Sequence, residues 1–142
     1  MILYLDTSAL VKLYVQEAGR DSVRHAVAAA TVVATSRVAY PEARSAMARR
    51  VREGSLNPRA HAKVRKAFDD DFARFRVVEL TASLAHRAGE LTQLYPLRGF
   101  DAIHLASATE LWNEAGESPL FLAFDARLTQ SAVEAGFRVH LG

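Results

Sequence analysis

Five short apolar runs punctuate this chain, and stretches with helical spacing fill the intervals between them. That alternation constrains the fold more than any other feature, because parallel strands need long crossover connections and a helix is the usual one. The runs are Ile2–Leu5, Thr31–Thr35, Val77–Leu80, Leu120–Phe124 and Arg138–Leu141. Ser8–Glu17 carries Leu10, Val11, Leu13 and Tyr14 at helical spacing and ends near Gly19; Ser22–Ala30 is a second helical stretch. Glu42–Arg52 stops at Glu53-Gly54, and Pro58–Phe75 begins with a proline suited to a first helical position. A helix from Thr81 is ended by Tyr95-Pro96 and Gly99, Asp101–Ala115 is closed by Gly116, and Ala126–Ala135 is closed by Gly136. The expectation is an α/β protein, a three-layer α/β/α sandwich whose mainly parallel sheet has about five strands. With 142 residues and no repeat or linker, residues 1–142 read as one domain.

Four acidic residues stand at the ends of these predicted elements: Asp6, Glu42, Asp101 and Asp125. Sheets of this kind place their sites outside the carboxyl ends of strands, at a topological switch point. Asp6 and Asp125 follow strands directly, so both belong to that edge. Carboxylates gathered in one place repel unless a hard divalent cation neutralises them, and such cations prefer oxygen ligands. The set implies a Mg²⁺ or Mn²⁺ site and metal-assisted phosphodiester cleavage. Taken singly, the three aspartates read first as helix N-caps, and Glu42 as an acid favouring the start of its helix.

The rest of the composition fits a polyanionic substrate. Net charge is +2, but setting those four aside leaves 12 of the 16 acidic residues against 18 basic ones. Basic residues cluster at Arg44, Arg49, Arg50 and Arg52, then at Arg59, Lys63, Arg65 and Lys66. A solvated pair of surface helices would show the same pattern. No cysteine is present, which excludes disulfides, thiolate zinc sites and a cysteine nucleophile. Half the residues are hydrophobic, yet no apolar run approaches a membrane span, and Met1–Asp6 lacks the features of a signal peptide. A cytoplasmic location is expected. Asp69-Asp70-Asp71 resembles a metal cluster, but successive helical residues point in different directions, so the three do not converge. His25, His61, His86 and His140 show no partner spacing and read as surface or partly packed; Trp112 and Phe68 read as core or interface.

The local contexts of the four acids are more telling than the acids alone. Leu3-Tyr4-Leu5-Asp6-Thr7-Ser8-Ala9-Leu10-Val11-Lys12-Leu13-Tyr14, Thr35-Ser36 with Glu42, Phe100-Asp101-Ala102-Ile103-His104-Leu105-Ala106-Ser107-Ala108 and Phe124-Asp125-Ala126-Arg127-Leu128 occur in this order. Together they resemble the PIN-domain ribonucleases, and within them the VapC toxins of prokaryotic toxin–antitoxin pairs. The resemblance implies a PIN-like fold, with Asp6, Glu42, Asp101 and Asp125 as the acidic catalytic residues. Asp6, Asp101 and Asp125 become the metal ligands, Ser8 a supporting hydroxyl, and Thr7 a structural residue. It further implies Mg²⁺ (or Mn²⁺) as cofactor, a structured RNA as substrate, a small cognate antitoxin as partner and a homodimer. At Ala123, Ala126 and Arg127 the chain departs from the hydroxyl, acidic or amide residues that many members carry there. That departure leaves one firmly held ion and a second recruited with substrate as the expectation.

Several roles stay open at this level. Glu42 either ligates metal or holds a water. Arg98, three residues before Asp101, either contacts a phosphate or relieves repulsion between carboxylates. His104, on the same helix face as Asp101, is either a packed side chain or a ligand. Two rivals to the nuclease exist: a non-catalytic PIN-like module that binds RNA or protein, and a phosphatase with Asp6 as nucleophile. The first gains nothing from concentrated negative charge, and the second wants an acid where Ser8 stands.

Overall fold

The computed structural model describes residues 1–140, in which five strands and seven helices alternate. In chain order they are β1 (Ile2–Leu5), α1 (Thr7–Lys12), α2 (Arg20–Ala29), β2 (Val32–Ser36), α3 (Ala39–Arg52) and α4 (Pro58–Phe72). There follow β3 (Arg76–Val78), α5 (Ala82–Leu94), α6 (Gly99–Ala115), β4 (Leu120–Leu122), α7 (Ala126–Glu134) and β5 (Arg138–Val139). The last expected strand reached Leu141, which lies outside the described residues. Every strand pair is parallel, in the order β3-β2-β1-β4-β5. The chain builds outward from β1 through β2 to β3, then crosses to the other side for β4 and β5. The switch point therefore falls between β1 and β4.

Helices cover both faces, giving the three layers. The period of two decides which side chain meets which layer. Leu3 and Leu5 pack with Leu10, Val23, Met47 and Phe68 under α1 to α4, whereas Ile2 and Tyr4 pack with Leu84, Leu105, Phe121 and Leu128 under α5 to α7. All four residues of β1 are buried, which is why a central parallel strand reads as an unbroken apolar run. Burying a large apolar side chain stabilises by about 1.5–3 kcal/mol. The strand ends at the switch point are correspondingly well anchored. Among the described residues no helix is long and apolar enough to cross a membrane.

Several boundaries differ from expectation. The first helix stops at Lys12 rather than Glu17, where Leu13 and Tyr14 donate to carbonyls only three residues back and tighten the turn. Tyr14 and Val15 remain buried after the helix has ended, so their spacing reported burial and not helix. Gly19 then turns the chain with φ of +93°, and a Cβ there would lie 2.6 Å from the Phe124 ring. Any other residue would be strained there and would have to displace that ring. The third strand begins at Arg76 and ends at Val78, before Glu79 and the exposed Leu80; the fourth ends at Leu122 instead of Phe124. Finally, α3 and α6 start earlier than expected, at Ala39 and Gly99. Glu42 and Asp101 accordingly sit inside the first turns of their helices, not at their first residues.

Candidate functional site

The four acids predicted from sequence line one cavity of about 460 Å³, together with Ser8, Arg98 and His104. Asp6 enters from the end of β1, Asp125 from just after β4, Glu42 from α3 and Asp101 from α6. This is the carboxyl edge of the sheet at its switch point. Asp6 and Asp125 are also helix caps: Asp6 accepts from the Ala9 N–H at 2.9 Å and Asp125 from the Leu128 N–H at 2.9 Å. Capping and clustering are thus the same placement, because the cap residue of a helix that follows a strand sits at the strand's carboxyl end. Glu42 and Asp101 make no such bond.

Ser8 joins two of these elements. Its hydroxyl lies 2.7 and 2.9 Å from the two Asp6 carboxylate oxygens, and its oxygen accepts the Phe124 N–H at 3.1 Å. One side chain therefore fixes Asp6 and the segment that presents Asp125. Asp6 is only 5% exposed, and its hydrogen-bond donors, Ser8 and the Ala9 amide, are both neutral. Burial accordingly pushes its carboxyl above the usual range, against the opposing influence of His104 and these two donors.

Glu42 is treated differently. Thr7 donates to Glu42 Oε1 at 2.5 Å, and His104 Nε2 lies 3.4 Å from the same oxygen and 3.0 Å from Thr7 Oγ1. Partial burial would raise this carboxyl, but hydrogen bonds from His104 and Thr7 outweigh burial and hold it below the usual range. Arg98 spans the remaining two, with Nε 3.3 Å from Asp101 Oδ2 and a terminal nitrogen 3.6 Å from Asp125 Oδ2.

The donor set is all oxygen, as a hard divalent ion requires. A buried carboxylate with only neutral partners is costly until a cation reaches it. Asp6 is such a group. Arg98 supplies one positive charge between Asp101 and Asp125, doing part of the neutralising that an ion would do. Among the described residues no three acidic or imidazole groups are close enough to hold an ion as they stand. The chemistry of the donors fits Mg²⁺ or Mn²⁺.

The basic rim is narrower than the sequence implied. Lys12, Arg49 and Arg50 line the cavity, and Glu17 braces Lys12 at 3.1 Å and also pairs with Arg50. The second basic cluster, on α4, does not line it; Lys66 pairs with Asp70, and Arg44 of α3 lies 3.9 Å from Asp69. Asp69, Asp70 and Asp71 splay as expected, bonding to Tyr40, Lys66 and Tyr14 in turn. Phe68 is fully buried, and Trp112 packs edge-on against Phe137. Sequence reasoning overlooked Tyr4, whose buried hydroxyl meets His104 Nδ1 at 2.8 Å. The signal was there, since a phenol inside an apolar strand must find a partner. Lys12 and Glu17 left no comparable trace.

Comparison with known proteins agrees with this geometry. The profile of the PIN domain family matches residues 3–134. The chain is 38% identical over 139 residues to Ribonuclease VapC45 of Mycobacterium tuberculosis (strain CDC 1551 / Oshkosh), covering 97% of this chain and 94% of that protein. Among solved structures it is similar to VapC20 of Mycobacterium tuberculosis, described as a sarcin–ricin loop cleaving toxin, with a TM-score of 0.68 and 24% identity over 96% of each chain. It is also similar to a chain of a toxin–antitoxin complex from Klebsiella pneumoniae, with a TM-score of 0.61 and 21% identity over 88% of each chain.

Proposed function

The chain belongs to the PIN-domain family and within it to the VapC ribonucleases, and from that premise we propose that its acidic cavity is the active centre of a divalent-metal-dependent endoribonuclease, the toxin of a toxin–antitoxin pair. The observation that carries this reading is the meeting of Asp6, Glu42, Asp101 and Asp125 in one cavity at the switch point of the sheet. Asp6, Asp101 and Asp125 would hold Mg²⁺, or Mn²⁺ in its place, and such an ion lowers the pKa of water and neutralises charge on phosphoryl oxygens. Ser8 keeps the Asp6 carboxylate in position. Glu42, with one oxygen already satisfied, orients and accepts from a water through the other. Arg98, Lys12, Arg49 and Arg50 receive backbone phosphates at the rim, with Arg98 leaving the carboxylates to do so.

Structured RNA is the substrate class, supported by the basic rim and by the similarity to a sarcin–ricin loop cleaving toxin. A small antitoxin is the inhibitory partner, supported by the likeness to a toxin–antitoxin complex. A homodimer is part of the same reading. The cytoplasm is its place of action. The phosphatase alternative is disfavoured because Ser8 stands where its general acid should be. The deciding experiment is RNA cleavage by purified protein with Mg²⁺, Mn²⁺ or chelator, beside Asp6→Asn. Metal-dependent cleavage lost in the variant supports the reading; equal cleavage by both proteins overturns it.

A further inference from the structure

We propose that His104 is a positioning residue for Glu42, anchored at Nδ1 by the hydroxyl of Tyr4 and donating from Nε2, so that one Glu42 oxygen is fixed and the other is left for the reaction. The inference deepens the ribonuclease reading and rests on it for its rate effects. Its structural half stands separately.

The protons on the cavity side of these contacts can be assigned one by one. Thr7 has a single hydroxyl proton and donates it to Glu42 Oε1. His104 Nε2 therefore faces two acceptors, Thr7 Oγ1 at 3.0 Å and Glu42 Oε1 at 3.4 Å, and must carry a proton to bond either. The other ring nitrogen, Nδ1, faces the core, where the Tyr4 hydroxyl meets it at 2.8 Å. Ser107 is a second partner of that hydroxyl, so Tyr4 can donate to Nδ1 or accept from it, and the ring is anchored either way. The contacts thus run from Tyr4 through His104 to Thr7 and Glu42, with the Nε2 and Thr7 protons pointing toward the cavity.

Tyr4 and His104 are held firmly by packing. Tyr4 is stacked on Phe121 with centroids 5.3 Å apart and is fully buried in the central strand; His104 is 2% exposed. Glu42, by contrast, reaches into the cavity from the first turn of α3 with its side chain 29% exposed. A half-exposed carboxylate has rotamer freedom that the relay removes. Both contacts fall on Oε1, and among the described residues Oε2 has no hydrogen-bond partner in the protein. Orienting partners behind a reacting group are what set its geometry.

Two measurements test this. In ¹⁵N-labelled wild-type protein with chelator, long-range ¹H–¹⁵N correlations should show His104 Nε2 protonated, the resonance being identified by its loss in His104→Gln. A bare Nε2 overturns the assignment. In single-turnover and steady-state cleavage, His104→Ala should lower kcat by about 10–100-fold with KM little changed, the range for orienting partners of a reactive centre. His104→Gln keeps a donor where Nε2 lies and should recover most of that loss, whereas His104→Asn, which places its amide near Nδ1, should not. Equal activity of the Gln and Asn variants, or a loss confined to KM, overturns the positioning role. If wild-type protein cleaves no RNA under any metal, the ribonuclease reading fails while the proton on Nε2 is still decided by the spectra.

Discussion

Ser8 should be worth more to the protein when residue 6 carries a charge than when it does not. The hydroxyl lies within 2.9 Å of both Asp6 oxygens in a site that is 5% exposed. A hydrogen bond to a buried charged group contributes about 1.5–3 kcal/mol, against about 0.5–1.5 kcal/mol for a neutral pair. Ser8→Ala alone should therefore cost roughly 2 kcal/mol, and in an Asp6→Asn background roughly 1 kcal/mol, leaving a coupling of about 1 kcal/mol. Asp6→Asn alone should stabilise the protein in chelator, since the effective cost of burying an ion is several kcal/mol and Asn still accepts the Ala9 N–H. For a chain of this length each kcal/mol moves Tm by about 3 °C, so the four melting curves are resolvable.

The pH dependence gives a second check on the same cycle. Burial raises the Asp6 carboxyl above its ordinary value of 3.8, so the native state retains that proton where the unfolded chain has lost it. Stability then falls as pH rises through the window that begins at 3.8 and ends at the raised native value. The Asn variant has no such window, so its advantage should shrink toward pH 3.8 and disappear below it. Equal Ser8→Ala costs in both backgrounds at neutral pH, or a lower Tm for Asp6→Asn in chelator, would refute the reasoning.

Other expectations follow from the same contacts. Asp101→Asn should cut kcat by at least about 100-fold, the loss typical of weakening transition-state charge stabilisation, here through the ion that Asp101 would hold, with the circular dichroism spectrum unchanged. Arg98→Ala should change stability by no more than about 0.5 kcal/mol, because its side chain is 77% exposed, yet reduce the salt dependence of RNA binding by roughly 0.7 in log–log slope, measured by fluorescence anisotropy. Glu42 has the opposite linkage to Asp6: its depressed carboxyl contributes stability that is full above its ordinary value of 4.5 and is lost as pH falls through the lower native value. Glu42→Gln should abolish that loss in Tm measured against pH.

Much of this site was legible because one rule of topology connects sequence to space. A residue that ends a parallel strand lies at the carboxyl edge, and at the switch point two such edges adjoin. Asp6 and Asp125 are found by that rule alone. Glu42 and Asp101 are not, since they lie inside first turns of helices whose starts sequence placed two or three residues late. Their arrival depends on how α3 and α6 pack on opposite faces of the sheet, which only the family pattern anticipated. The α1 overshoot has a related cause: Tyr14 and Val15 satisfy helical spacing while buried in an irregular turn that Gly19 permits. Apolar spacing reports which side is buried, and the backbone can keep that side buried without staying helical. The Tyr4–His104–Glu42 relay joins residues up to 100 positions apart. No local pattern encodes it.

The opposite shifts of Asp6 and Glu42 decide how acid should stop the reaction. As pH falls, Asp6 takes up its proton first, because burial raises its carboxyl, and Glu42 later, because Thr7 and His104 lower its own. Only the ionised form of Asp6 can hold a cation, so protons and Mg²⁺ compete for that one side chain. The acid limb of cleavage should accordingly follow Asp6 and, once Mg²⁺ saturates the ionised site, move to lower pH by about one pH unit for each further tenfold rise. A limb set by Glu42 would lie lower and would not move with Mg²⁺, because the proton lost there is not exchanged for the ion. Rate–pH profiles at three Mg²⁺ concentrations, each saturating at neutral pH, with Glu42→Gln as reference, separate the two. A limb that stays fixed across the series would mean that Asp6 is not the group exchanging its proton for the metal, and the division of roles drawn from burial at one carboxylate and hydrogen bonding at the other would fall with it.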